Sequence, residues 1–204
     1  MGGDLSPRRL LRAYGRGIFP WYSDGEPILW WSPDPRFILI PAEAHVSRSS
    51  KKILDKKIFS LTFDRAFGEV VDSCAQPRPD QDGTWITAEM RQAYIDLHTL
   101  GYAHSLEAWN DNTLAGGLYG IALGRCFFAE SMFHVRSNAS KVVLFALARA
   151  LQKKGFILID CQIHSPHLAA WGARSIPRRQ YLEFLSRGLA YKTLRGNWGE
   201  IFKA

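Results

Sequence analysis

The run Phe156-Ile157-Leu158-Ile159 contains no polar residue and then stops at Asp160-Cys161-Gln162. Four consecutive apolar residues read as a buried strand. Residues two apart in an extended chain share a face, so Asp160 and Gln162 are expected to project together from the strand end. An unpaired charge at such a place costs several kcal/mol or so. Two readings are open here: a carboxylate that caps a neighbouring loop, or one that is used in chemistry.

The chain around this strand has 204 residues, 47% of them apolar and 22% charged, enough for one large domain or two small ones. No apolar run approaches a membrane span, and the N-terminus Met-Gly-Gly-Asp-Leu-Ser-Pro-Arg-Arg has no signal-like core. Cys74, Cys126 and Cys161 are isolated and lack metal-ligand spacing, which fits a reducing, cytoplasmic setting with no metal. Of the net charge of +7, residues 1–57 hold ten Lys/Arg against six Asp/Glu, and 174–204 hold seven against two. Residues 80–111 reverse the sign, with six acidic residues and one basic. Basic ends around an acidic middle can hold a polyanion on one side and a cation on the other; ordinary solvated helix faces give the same counts.

Punctuation along the chain predicts a helix from Ser6 (N-cap) and Pro7 through Leu10, Leu11 and Tyr14. A Trp- and Pro-rich stretch follows to Arg36, then a short strand Phe37–Ile40 and a basic helix Ser47–Lys57 carrying Arg48, Lys51 and Lys52. Phe67–Cys74 reads as a helix and Gln76–Gly83 as a polar loop, the clearest compositional break. Thr87 caps a helix to about Leu100, followed by strands at Ala103–Trp109, Leu114–Leu123 and Phe127–Phe133. An apolar helix Ala139–Lys154, the strand at 156–161 and a helix at Arg178–Arg187 complete the pattern. Helix, three-strand meander, helix, strand, helix is the order of an acetyltransferase-like (GNAT) sheet, although other α+β folds share it. The expectation is α/β (α+β): a small N-terminal domain at 1–62 and a GNAT-like catalytic domain at 63–204.

Within Phe127–Phe133, Glu130 sits among aromatics and is expected to share a face with Phe128 and Met132. An acid inside such a run needs a partner, either Asp160 or a cationic ligand, unless the strand is at an edge. The apolar helix opens with Arg136-Ser137-Asn138-Ala139-Ser140, without the Gly-rich turn that wraps a pyrophosphate, so CoA is not expected. Trp21, Trp30, Trp31 and Trp85 are either anchors for a loop-rich region or stacking platforms for nucleobases.

Several strings, taken in order, resemble the bacterial leucyl/phenylalanyl-tRNA–protein transferase family. They are Gly2-Gly3-Asp4-Leu5-Ser6-Pro7, Gly17-Ile18-Phe19-Pro20-Trp21, Trp30-Trp31-Ser32-Pro33-Asp34-Pro35-Arg36 and Gly83-Thr84-Trp85-Ile86-Thr87. Gly116-Gly117-Leu118-Tyr119-Gly120, Glu130-Ser131-Met132-Phe133, Ala139-Ser140-Lys141 and Leu158-Ile159-Asp160-Cys161-Gln162 continue the match to about residue 188. Two departures are Ala129, where the family is expected to carry Gly, and an N-terminus expected to be short or trimmed.

The resemblance implies transfer of Leu or Phe from Leu-tRNA or Phe-tRNA to proteins that begin with Arg or Lys, which marks them for N-end-rule degradation. It implies no cofactor, metal or membrane. It assigns Asp160, Gln162 and Glu130 to catalysis, the first two to orient the attacking amine and Glu130 to hold the cationic residue. Leu118, Phe127, Met132, Leu144, Leu151 and Ile159 would form the aminoacyl side-chain pocket. Trp21, Trp85 and Ser131 would meet the 3′ adenosine, and Arg48, Lys51 and Lys52 the tRNA phosphates. Two alternatives stand beside this reading. One is another GNAT-type acyltransferase, acting on acyl-CoA or building peptidoglycan from aminoacyl-tRNA. The other is a non-catalytic RNA-binding domain, disfavoured by acids in apolar strands.

Overall fold

One seven-stranded sheet organises both ends of the chain around the same core. A computed structural model describes residues 1–45, 51–52, 54, 56–77 and 84–202. The sheet order is β4 (Ser60–Phe63), β5 (Ala103–Asn110), β6 (Thr113–Leu123), β7 (Cys126–His134), β8 (Leu158–Asp160), β3 (Arg36–Leu39) and β9 (Arg174–Ile176). β4 to β7 pair antiparallel, β7 and β8 pair parallel, and β3 pairs antiparallel with both β8 and β9. The parallel step needs a crossover, supplied by the long apolar helix α4 (Ala139–Lys153). The predicted order of meander, helix, strand and helix is therefore present: the one-turn helix α5 (Pro166–Ala169) follows β8, and α6 (Arg178–Leu189) closes the pattern.

β3 and most of β4 come from the segment 1–62, and both are hydrogen-bonded into this sheet. A separate two-stranded sheet joins β1 (Phe19–Pro20) to β2 (Trp30–Trp31). The proline-rich sequence keeps that ribbon to two residues a side.

Two apolar layers cover the sheet. On one face α1 (Pro7–Tyr14), α2 (Phe67–Cys74) and α3 (Ala88–Thr99) bury Leu10, Tyr14, Val70 and Tyr94 against Tyr119 and Phe128. Capping defines α3 as expected: the Thr87 hydroxyl accepts the Met90 N–H at 3.2 Å. Ser6 differs, since its hydroxyl donates to Asp4 at 2.6 Å and leaves α1 without a side-chain cap. On the other face α4 buries Val143, Leu147 and Leu151 against Phe127, Ile159 and Trp198.

A bulge in β7 sets the direction of the residues that follow it. Tyr119 pairs with Ser131 and Gly120 with Ala129, so Glu130 has no partner in the ladder. The extra residue breaks the alternation, so Glu130 turns toward Tyr94 while Met132 packs with the opposite layer. The expectation that Glu130 and Met132 share a face is thereby corrected. Gly120 permits this kink: a Cβ there would lie 2.2 Å from the Phe128 carbonyl oxygen.

The last residues close the second layer. Trp198, in α7 (Trp198–Ile201), is fully buried and stacks on His104 at 3.9 Å between ring centroids. Its backbone N–H donates to Asp64 at 2.7 Å, and Asp64 also meets His104 Nδ1 and the Ser105 N–H. Trp198→Ala is expected to cost about 3–5 kcal/mol, the usual range for an aromatic removed from a packed core. Denaturant unfolding followed by circular dichroism would show it as a lowered midpoint.

Candidate active site

The sheet opens where its parallel pair ends. β7 and β8 are paired from Cys126–Leu158 to Phe128–Asp160. Beyond that rung β7 continues to His134 while the facing chain leaves the sheet at Asp160. The gap is a cavity of about 370 Å³, walled by Ala129, Glu130, Ser131 and Met132 on one side and Cys161 to Ser165 on the other. Leu118, Leu144, Leu168 and Trp85 complete its wall. A second cavity of about 180 Å³, lined by Phe19, Pro20, Trp21 and Trp85, shares Glu130, Gln162 and Ile163 with the first. Glu130 and Gln162 thus stand at the junction of two cavities.

Asp160 does not reach either cavity. Arg36, first residue of β3, forks onto it with Nε to Oδ1 at 2.8 Å and Nη2 to Oδ2 at 2.7 Å. The Tyr181 hydroxyl donates to Oδ2 at 2.8 Å, and the Gln162 N–H donates to Oδ1 at 3.0 Å. Asp160 and Arg36 are both 0% exposed. Burial works against the Arg36 charge, and the attraction and hydrogen bonds of Asp160 outweigh it, so its pKa is raised. The guanidinium also lies over the rings of Phe19 and Tyr181 and donates to the Gly17 carbonyl at 3.2 Å. Gly17 has φ +72°, and a Cβ on it would sit 2.6 Å from the Tyr181 ring.

The strand-end geometry corrects the expectation that Asp160 and Gln162 project together. The strand stops at Asp160, and Gln162 takes a left-handed backbone with φ +57°. Its side chain therefore points into the cavities while Asp160 points into the core. The Asp160 carboxylate acts on Gln162 through the backbone N–H, helping to hold a conformation that costs a non-glycine residue of order 1 kcal/mol or more.

Glu130 carries the only carboxylate among the described residues that line these two cavities. The Tyr94 hydroxyl donates to it at 2.6 Å, and Gln162 Nε2 donates at 3.4 Å. Burial pushes the Glu130 pKa up to about 7 against the hydrogen bonds from the tyrosines, and the Asp160 and Arg36 charges act on it with opposite signs. The Gln162 amide nitrogen faces Glu130, leaving its carbonyl oxygen as the acceptor.

The expected pocket residues divide in two. Leu118, Met132 and Leu144 line the larger cavity. Phe127, Leu151 and Ile159 are each 0% exposed and do not line it. The reason is position. Phe127 and Ile159 face each other in the still-paired part of the sheet, and Leu151 lies seven residues down α4 from Leu144, about 10 Å at 1.5 Å per residue. They form the packed floor. Trp21 lines the smaller cavity, Trp85 both and Ser131 the larger. Lys51 and Lys52 are exposed and helical, and Arg48 lies outside the described residues. No group of three or more His, Cys, Asp or Glu fit to hold a metal occurs among the described residues.

Residues 38–186 match the family described as Leucyl/phenylalanyl-tRNA protein transferase, and residues 3–34 match that family's N-terminal domain. The chain belongs to this family. It is 58% identical over 199 residues to the leucyl/phenylalanyl-tRNA–protein transferase of Syntrophus aciditrophicus, covering 97% of this chain and 83% of the relative. The Myxococcus xanthus transferase is 54% identical over 201 residues, covering 98% and 86%. Solved structures with similar chain paths include an aminoglycoside acetyltransferase from an uncultured soil metagenomic sample and L-PGS from Bacillus licheniformis. The first has TM-score 0.38 and 14% identity, covering 57% of this chain and 86% of that one. The second has TM-score 0.44 and 10% identity, covering 80% and 54%.

Tyr94, Tyr14, Arg36 and Tyr181 are the partners of the two acids that sequence reasoning missed. Arg36 had a signal, a cation opening the apolar strand Phe37-Ile38-Leu39-Ile40. The tyrosines had none, because their hydroxyls meet the acids only across elements distant in sequence. Arg36→Met is expected to destabilise by about 3–5 kcal/mol, since it strands a buried carboxylate. Arg36→Met combined with Asp160→Leu should recover much of that loss in denaturant unfolding. Transfer should stay impaired, because Gln162 still lacks the acceptor for its N–H.

Proposed function

We propose that the chain transfers Leu or Phe from aminoacyl-tRNA to the α-amine of proteins beginning with Arg or Lys, marking them for degradation by the N-end rule. The observation that carries this reading is the pair of cavities meeting at Glu130 and Gln162. An aminoacyl-adenosine end seated across both would place its ester beside Glu130 and Gln162, where an acceptor amine can meet it. The aminoacyl side chain fits the larger cavity, against Leu118, Met132 and Leu144. Met132, unbranched and flexible, can repack around either Leu or Phe. The terminal adenosine is assigned to Trp21 and Trp85, whose faces suit a base. Ser131 lies beside the same opening.

In the reaction the amine nitrogen bonds to the ester carbonyl carbon and the ribose C–O bond breaks. The proton lost by the amine ends on the ribose oxygen, which leaves as a hydroxyl. An α-amine has a reference pKa near 7.7–8.0, so a useful fraction is neutral at pH 7. Orientation can supply effective molarities of about 10⁵ M or more, against about 10²–10⁴-fold from a general base. Holding the amine therefore matters more than deprotonating it. The Gln162 carbonyl oxygen can accept a hydrogen bond from the amine, and Glu130 can attract the cationic residue. Asp160 serves as the support for Gln162, acting as a positioning residue. Lys51 and Lys52, with Arg48, would bind tRNA phosphates without reading sequence.

The deciding experiment incubates the protein with radiolabelled Leu-tRNA or Phe-tRNA and a protein bearing N-terminal Arg. Label should move to the acceptor, and not to the same protein with its α-amine acetylated. No transfer from either tRNA would overturn the reading. Leu118→Phe should reduce transfer from Phe-tRNA more than from Leu-tRNA, whereas equal losses would place the side chain elsewhere. Lys51→Glu with Lys52→Glu should weaken tRNA binding. The dependence of log Kd on log salt should become shallower, by about 0.9 for each duplex phosphate the protein no longer neutralises.

A further inference from the structure

Three aromatic hydroxyls from three elements surround the buried side of Glu130, and two of them form a chain. Tyr94 Oη donates to Glu130 Oε2 at 2.6 Å, and Tyr14 Oη lies 2.9 Å from Tyr94 Oη. With the Tyr94 proton committed to the carboxylate, Tyr14 is the donor in the second bond. Both tyrosines are 0% exposed. Their rings are fixed by packing: Tyr94 edge-on to Tyr119 at 5.2 Å and Tyr14 edge-on to Phe128 at 5.1 Å. The third hydroxyl, on Tyr119, is buried and makes no hydrogen bond among the described residues.

We propose that Tyr94, backed by Tyr14, is a positioning residue for transfer: it favours the carboxylate form of Glu130 and aims it at the junction of the two cavities, and Glu130 in turn orients the Gln162 amide. Resting on the transfer reading above, the proposal assigns the N-terminal helix α1 a part in the chemistry, through Tyr14. Without the chain, burial alone would favour a neutral acid, which cannot attract a cation and can turn its own proton toward Gln162. The amide would then rotate to accept that proton, and its oxygen would no longer face the amine.

The groups around Glu130 set the sign of the expected effect. Tyr94 and Tyr14 donate toward it and favour the carboxylate. Asp160 on β8 disfavours it, Arg36 on β3 favours it, and these two are locked together. Gln162, from the loop after β8, is neutral and donates. Removing the Tyr94 hydroxyl deletes a donor to the charged form, so the Glu130 titration moves up from about 7. Hydrogen bonds to charged groups support an upward move of about 1–2 pH units.

The test compares single-turnover transfer by Tyr94→Phe and by the unsubstituted protein at each pH from 5.5 to roughly 9, the span that brackets a carboxyl titrating near neutrality. The acceptor amine titrates identically in both and cancels in the ratio. The ratio should be lowest at acid pH, about tenfold or more below one, and rise toward one at alkaline pH. Tyr14→Phe should give a smaller change of the same sign, and it carries the test if Tyr94→Phe does not fold by circular dichroism. Tyr119→Phe, losing a hydroxyl with no hydrogen bond among the described residues, should give a ratio independent of pH. Carbon-13 NMR of carboxyl-labelled glutamate, assigned with Glu130→Gln, should show the same upward move of the Glu130 signal. A pH-independent ratio for Tyr94→Phe, or an equal pH-dependent ratio for Tyr119→Phe, overturns the proposal. If the unsubstituted protein transfers nothing, the transfer reading fails instead, and the carboxyl NMR still tests the Tyr94 link.

Discussion

The buried pair of Arg36 and Asp160 is the constraint on which the rest of the site depends. A lone carboxylate at the end of a core strand would cost several kcal/mol or so, and a lone guanidinium the same. Together they use all the directions the carboxylate offers, with Tyr181 and the Gln162 N–H taking the remaining two. The pair ties β3, from the first quarter of the chain, to β8, from the last third, and to α6 beyond it. Where β7 and β8 part, the end of β8 stays bound on its other side to β3, by backbone hydrogen bonds and by this pair together.

Two distortions convert that rigid end into a site. The bulge at Glu130 rotates an acid out of the sheet's alternation, and the left-handed backbone at Gln162 rotates a carboxamide out of its strand. Each breaks local regularity, and each is held by a hydrogen bond: from Tyr94, distant in sequence, for Glu130, and to Asp160, two residues back, for Gln162. The two side chains then meet at 3.4 Å from opposite walls of the gap. Regular alternation from the Phe128–Asp160 rung would put Glu130, Met132, Asp160 and Gln162 on one face; the distortions separate Met132 from Glu130 and Gln162 from Asp160.

This explains which parts were legible in the sequence. The helices Phe67–Cys74 and Ala88–Thr99 and the three-strand meander fall where capping, glycine and alternation signals put them, because those signals are local. The short strands Ser60–Phe63 and Arg174–Ile176 carry too few residues for a period to register, and their pairing is decided by the sheet. At the site, Glu130 and Gln162 were legible as polar residues in apolar runs. The direction of their side chains was not, since it depends on a bulge and a positive φ that the period-two rule does not contain. Phe127, Leu151 and Ile159 lie beneath the cavity and not along it, and the sequence does not separate the two places: an apolar residue beside a cavity and one beneath it look alike until the end of strand pairing is known.

The division of labour between the two acids follows from their surroundings. Asp160 is saturated by a cation and two further donors, so its charge is spent inside the protein and no substrate group can compete for it. Glu130 has hydroxyl and amide donors but no cation bonded to it among the described residues, and it opens on both cavities. An incoming ammonium or guanidinium would supply the missing opposite charge and stabilise the carboxylate further, while a neutral N-terminal side chain would leave it near the balance between its two forms. On the proposed transfer reading, a preference for cationic N-terminal residues would follow from an acid kept close to neutralising itself. A fully ionised, solvent-exposed carboxylate would attract cations too, but it would gain little from binding one, because water already screens its charge.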